Sequence, residues 1–483
     1  MKNNMKKTIL LAALPLLLGL PSCGETDNTI HFWCTFGEGA VRPAVQSAID
    51  KFCELVKEKE GVDVKFSLDY QGDYNTLLDK VKKSFSAGGT PTIAVAYPDH
   101  VADYLAMEGT PGDYVYDLTK YVNDSEIGFT KQTYLGDSSD YDEDDFVTAF
   151  YEEGKQYQRE GIYSLPFMKS SEVMAYNENA VLRAMKFWKP EITTASALRN
   201  YLSTISWTEF IEMNKVILQN KDQIISSLTC PIYYDSDANF LISKICQLEI
   251  PYASVDENGK GHIDFETGEA RTKVEALVTS IKEAYDAKLL ETKGIANKYG
   301  STAFQNQQCL FVIGSSGGSG YSMPKAGSFT ANVVRVPSSA TNPLNRNLYV
   351  TQGPTITFLK NRSLSNEEND RRMHYSWMLA KYLTNPEVNT NVTLLGSEGY
   401  IPVRESAYET DLWIEWSQVG DMVTKAANTL VQDINGSYLT TKVFKGSAAL
   451  REKIGGVIAS VCKTGTPVSK AVGDAINAAK TQM

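Results

Sequence analysis

A chain of 483 residues, 42% of them hydrophobic, can bury a large core and is long enough for more than one domain. Its 58 acidic against 47 basic side chains, a formal net charge of -11, exclude a nucleic-acid surface, which needs excess Lys and Arg. Aromatic residues make up 10%, with 26 Tyr and 6 Trp, a composition suited to ligands with apolar faces and polar edges.

At the N-terminus, Lys2, Lys6 and Lys7 lead an apolar stretch from Ile9 to Leu20, followed by Pro21-Ser22-Cys23 and the polar Gly24-Glu25-Thr26-Asp27. A basic start and an apolar segment too short to span a bilayer read as an export signal. Because it ends on a cysteine, it resembles a bacterial lipoprotein signal, which implies that Cys23 is lipidated; Pro21 stands where a small residue is usual. Residues 1–23 are thus expected to be the signal and 24–28 a tether. The body is then exported and held by lipid on the outer face of the cytoplasmic membrane or the periplasmic side. No later apolar run reaches the roughly 20 residues that cross a bilayer.

Thr29 to Trp33 reads as a short strand, and Pro43 to Gly61 as an amphipathic helix with Val45, Ile49, Phe52 and Val56 on one face. Pro43 suits its first turn and Gly61 its C-cap. Val62, Val64, Phe66 and Leu68 alternate as a strand, Asp73 to Phe85 returns to helical spacing, Gly88-Gly89 ends it, and Thr92 to Tyr97 is an uninterrupted strand. This order predicts a parallel α/β sheet covered on both faces. Strand patterns follow at 162–165, 173–176, 309–313 and 355–359. Helical patterns follow at 207–220, 236–248, 269–287, 367–384, 386–395, 411–430, 447–462 and 467–480. Without a long linker, two α/β lobes joined by several short crossings are expected.

Six cysteines remain after Cys23, at positions 34, 53, 230, 246, 309 and 462. An even number in an exported chain permits disulfides, but a domain of this size does not need them, and Cys53 and Cys309 lie in apolar patterns that read as buried free thiols. No Cys-x-x-Cys is present and His31, His100, His262 and His374 are isolated, so no metal or cofactor is expected. Asp140, Asp142 and Asp144 have the alternation of a calcium loop, yet Asp145 replaces its glycine and Tyr151 its closing glutamate. The segment reads instead as a solvated loop whose last acids cap a helix near Phe146. The glycine-rich Gly314–Gly320 follows a strand and is open to two readings, a backbone cradle for ligand oxygens or a plain flexible loop.

Tyr-Gln-Gly-Asp-Tyr (70–74), Ser-Leu-Pro-Phe-Met-Lys-Ser-Ser (164–171) with Tyr176-Asn177 behind it, Ser-Trp-Thr-Glu-Phe (206–210) and Gly-Tyr-Ile-Pro-Val (399–403) stand in a recognisable order. Together with the signal and the βαβ start, this order resembles the extracellular solute-binding proteins of carbohydrate ABC importers, above all their glycerol-3-phosphate binders. The resemblance implies a two-lobed α/β fold of the type II periplasmic-binding-protein kind, with lobe 1 from 29–160 and 300–355 and lobe 2 from 161–299 and 356–483. It also implies seven ligand contacts: Tyr74, Ser170, Trp207, Ser315, Gly353, Tyr400 and Arg451. Arg would grip phosphate oxygens, Tyr and Ser would bond the other oxygens, and Trp would cover the carbon skeleton. Pro98 stands where the phosphate binders carry a glutamate, so Asp99 takes that place only after a one-residue shift.

The implied function is non-catalytic: a monomer captures glycerol-3-phosphate or a glycerophosphodiester and delivers it to an ABC permease, with a neutral sugar or oligosaccharide as the alternative ligand. An exported hydrolase or a surface adhesin is more remote, since no nucleophile and base pair is visible. On this reading Arg451 is a surface-accessible cleft residue, and its truncation leaves the stability of the empty protein within about 0.5 kcal/mol.

Overall fold

The computed structural model describes residues 28–107, 114–131, 142–339, 348–396, 398–432, 434 and 438–483, so Cys23 and most of the acidic segment lie outside the described residues. In chain order the strands are β1 (Ile30–Cys34), β2 (Phe66–Tyr70), β3 (Ile93–Ala96), β4 (Leu165–Pro166), β5 (Glu172–Asn177), β6 (Ile232–Tyr234) and β7 (Ala253–Val255). There follow β8 (Gly261–Ile263), β9 (Leu290–Thr292), β10 (Phe311–Ser315), β11 (Ala331–Val334), β12 (Tyr349–Val350), β13 (Thr355–Phe358) and β14 (Tyr438–Leu439). They build two five-stranded sheets, β2-β1-β3-β13-β4 in the first lobe and β11-β5-β10-β6-β9 in the second.

The first helix, Val41–Glu60, buries the apolar stripe read from its spacing, with Val45, Ile49, Phe52 and Val56 at most 1% exposed. Each such side chain contributes on the order of 2 kcal/mol. Gly61 ends the helix at φ 72°, its N–H bonded to the Lys57 carbonyl at 3.0 Å, the left-handed cap that favours glycine. The next helix, Tyr74–Ala87, is capped by Asp73, which accepts the Thr76 N–H at 2.8 Å.

Three expectations change. The second strand begins at Phe66, not Val62, because β1 fixes its register through Ile30↔Phe66; Val62 is 37% exposed. The first sheet is mixed: β1 runs parallel to β2 and β3, whereas β13 runs antiparallel to β3 and β4. The single helix read at 411–430 is two, Asp411–Ser417 and Met422–Val431, broken where Gly420 adopts φ 77°.

Sheet membership also departs from the lobes expected. The resemblance places residues 300–355 with the first lobe, but β10 and β11 pair with β5 and β6 in the second. It places residues 356–483 with the second, but β13 and the helices Asn366–Leu383 and Pro386–Gly396 belong to the first core, through Phe358, Trp377 and Val392. The helices Ser447–Cys462 and Val468–Lys480 do pack in the second core. Apolar runs state that a segment is buried and leave open its partner. In chain order the sheets exchange between β4 and β5 and again between β11 and β13.

The six described cysteines after Cys23 are free, Cys309 buried and Cys53 partly so. Among the described residues no helix is long and apolar enough to cross a membrane.

Candidate functional site: the interlobe cavity

Strand ends from both lobes converge on a cavity of 670 Å³, lined by Tyr97, Gln352 and Tyr400 on one side and by Asp235, Asn239, Ser315, Tyr321 and Arg451 on the other. Val173, Ala175, Val312 and Val333, alternate residues of one face of the second sheet, form its apolar floor. A cleft outside the carboxyl ends of strands is where an open α/β sheet binds ligands.

Tyr97 follows β3 and stands before the helix Pro98–Leu105, with Pro98 in the first turn. Tyr74 opens its own helix and stacks on Tyr97 at 4.1 Å between ring centres and 24° between planes, so it backs the cavity through Tyr97. Burial pushes the Tyr97 phenol up to about 12, so both its proton and its lone pairs serve hydrogen bonding at neutral pH.

Ser170 and Ser315 are brought together, the Ser315 hydroxyl donating to Ser170 Oγ at 3.3 Å. Ser170 is buried in a crossing segment where it exchanges backbone hydrogen bonds with Gln352 at 2.9 and 3.1 Å. Ser315 lines the cavity and accepts the Gly317 N–H at 3.2 Å, capping a 3-10 turn at Ser316–Ser322. The glycine-rich segment is therefore an ordered turn, and a Cβ on Gly317 would lie 3.0 Å from Cζ of Tyr400. Its glycine makes room for the tyrosine. Gly353, at φ 91°, supports the crossing: a Cβ there would lie 2.3 Å from the Met168 carbonyl oxygen.

Arg451 projects from the helix Ser447–Cys462 of the second lobe and lines the cavity, but it is not free. Its Nε donates to Asp99 Oδ2 of the first lobe at 3.2 Å and its Nη1 to Asn239 Oδ1 at 3.0 Å. Beside it, the Gly446 N–H donates to Asp103 Oδ1 at 2.8 Å, a second polar contact between the lobes. Asp99, 4% exposed, does not reach the cavity surface and serves as the counter-ion of Arg451. That placement departs from the expectation that Asp99 reads ligand hydroxyls. His100 beside it is held neutral, its pKa lowered first by burial.

Trp207 is not brought to the cavity. It sits in the second-lobe core, its ring centre 5.8 Å from Phe210, 5.3 Å from Phe240 and 6.4 Å from Tyr234. Residues that sequence reasoning missed take its place: Tyr97, Asp235, Asn239, Lys293, Tyr299, Tyr321 and Gln352. Tyr97 carried a signal, as the last residue of a predicted strand. Asp235 follows β6, too short to leave a readable pattern; its Oδ1 accepts the Gly300 N–H at 2.7 Å, and burial pushes its carboxyl up to about 6. Beneath Asn239, Glu172 is 2% exposed and accepts the Tyr234 hydroxyl at 2.5 Å. Burial pushes it up to about 8, so it is mostly neutral at pH 7.

Of the acidic segment, Asp142 caps the turn Glu143–Asp145 and Asp145 accepts from Ser406 and from buried Arg404. Among the described residues no group of three or more His, Cys, Asp or Glu could hold a metal ion.

A family model of bacterial extracellular solute-binding proteins matches residues 48–421. The chain belongs to that family. It is a solute-binding protein of an ABC importer, with no catalytic role, and its two lobes have the type II periplasmic binding fold. The GacH receptor of Streptomyces glaucescens, solved unliganded and with acarbose, is similar at 17% identity over 94% of this chain and 97% of that one, with a TM-score of 0.62. UgpB from Mycobacterium tuberculosis, solved with glycerophosphocholine, is similar at 14% identity over 94% and 98%, with a TM-score of 0.65. The sugar-binding protein MalE from Xanthomonas citri is similar at 14% identity over 94% and 96%, also at 0.65. At such identities the likeness establishes the fold. No curated protein matches the chain by sequence.

Proposed function

We propose that this binding protein captures a neutral, hydroxyl-rich solute, a sugar or short oligosaccharide, in the interlobe cavity. The observation that carries this reading is the engagement of Arg451 by Asp99 and Asn239, which compensates the cation that a phosphate would need. Lys293 and Asp235 add one further charge of each sign, so the lining is close to balanced at neutral pH. Tyr97, Tyr321 and Tyr400 supply rings for sugar faces, and Gln352, Asn239 and Ser315 supply groups for hydroxyls. A glycerophosphodiester is the second reading, favoured by the presence of both Arg451 and Lys293 in the lining. Closure of the lobes would bury the solute and present the closed face to the permease. Lipid on Cys23 would hold the monomer near it.

Thermal shift and calorimetry with maltotriose, sucrose, glycerophosphocholine and glycerol-3-phosphate test the ligand class. A neutral saccharide at 100 times its dissociation constant should stabilise the fold by about 2.7 kcal/mol. Binding of the phosphorylated compounds alone would move the assignment to the second reading. Cys23→Ser should abolish incorporation of labelled fatty acid; retained label would remove the anchor from the proposal.

A further inference from the structure

A second pocket, of 420 Å³, lies within the second lobe, between the helices Trp207–Gln219, Asp237–Gln247 and Gly268–Asp286 and beside the start of β9. Its walls include Trp207, Phe240, Ile281 and Leu290. One half-buried cationic side chain, Lys244, stands among them. Lys244 Nζ stands 4.9 Å from the Trp207 ring centre and donates to Ser339 Oγ. The segment bearing Ser339 is itself fixed, since the Trp207 N–H donates to the Ser338 carbonyl and the Ser339 N–H to Gln247 Oε1, each at 2.9 Å.

No carboxylate among the described residues pairs with Lys244. The other charged groups of the lining are Glu212 and Lys215, bridged to each other at 2.7 Å, and Glu283 on the third helix. An ammonium has three donors, of which Ser339 takes one, and even its partial burial is unfavourable without a counter-charge. Burial accordingly pushes Lys244 down to about 7, with no neighbouring carboxylate to raise it again. A methionine or leucine would fill the same volume without that cost.

We propose that this pocket is a second ligand site, separate from the interlobe cavity, for a small amphipathic carboxylate. Its apolar body lies against Trp207 and Phe240, and its carboxylate supplies the missing partner of Lys244. An anion arriving there holds the lysine charged, so binding takes up a proton when the lysine starts neutral.

The test is calorimetric titration of the purified protein with octanoate and phenylacetate, against their neutral counterparts octanol and phenylacetamide. The carboxylates should bind at least tenfold more tightly than the neutral compounds. Both probes stay ionised between pH 6 and 8, so their affinity should fall roughly tenfold over that range as Lys244 loses its proton. Lys244→Met should weaken carboxylate binding at least tenfold. Absence of binding up to 10 mM (about 2.7 kcal/mol of binding free energy), equal affinity for the neutral compounds, or unchanged affinity in Lys244→Met would overturn the proposal. Should Lys244→Met fail to fold, the neutral pair and the pH dependence of the unaltered protein decide it.

Discussion

Arg451→Met removes one side of the ion pair that joins the lobes. Its partner Asp99 is almost fully enclosed, with 5% of its side chain exposed, while Arg451 retains 27%. Breaking a fully buried pair by removing one partner costs about 3–5 kcal/mol, because the remaining charge is left uncompensated. Exposure of the arginine admits water to the site and reduces that figure, so a loss of about 2–3 kcal/mol is expected for the ligand-free protein. Asn239 also loses a donor to its Oδ1, within the same figure. The double variant Asp99→Asn with Arg451→Met removes both charges of the pair and should recover most of the loss, a coupling of about 2 kcal/mol. Urea unfolding followed by two probes, fluorescence and circular dichroism, measures this and checks that both lobes unfold together. A single variant within about 0.5 kcal/mol of the parent would refute the argument, because that is the behaviour of an unpaired surface cation.

Gly353→Ala must place a Cβ 2.3 Å from the Met168 carbonyl oxygen at φ 91°, and should lower stability by at least about 2 kcal/mol in the same unfolding experiment. Trp207→Ala should cost about 3–5 kcal/mol as a core truncation. Calorimetry should nonetheless find the affinity of the interlobe solute changed less than twofold (about 0.4 kcal/mol), whereas a Trp207 that touched that solute would lose much more. Glu172 keeps its proton in the folded state up to about pH 8, whereas the unfolded chain releases it near the ordinary carboxyl value. The folded state therefore binds more protons across that window, and stability falls as pH rises from about 4.5 to 8, then levels. Glu172→Gln should remove up to roughly 4 kcal/mol of this slope in unfolding measured from pH 5 to 9; an unchanged slope would show that Glu172 ionises normally.

Much of the local structure follows from residue spacing alone. The stripe Val45, Ile49, Phe52 and Val56 and the cap at Gly61 are properties of spacing and of one residue's freedom at positive φ, so they were readable without knowing what the helix would cover. The same holds for the helices Trp207–Gln219 and Ser447–Cys462. Motif order also pointed to the family and to Ser315, Tyr400 and Arg451, which line the cavity, and to Ser170 bonded behind it.

Sheet membership is set by long-range pairing: β10 and β13 are both short apolar runs, and Phe358 pairs with Ile93, far back in the chain, whereas Phe311 pairs with Ile232, which periodicity within a short window does not encode. The fold likewise packs Trp207 inside a lobe and brings Tyr97 and Asp235 to the interlobe cavity, since burial and exposure of a side chain leave the same letter in the sequence. The role of Arg451 changed most. Its position in a motif fixed that it would stand at the cavity, but its charge is compensated by Asp99, 352 residues earlier in the chain, and only the docking of one lobe on the other brings that carboxylate to its side.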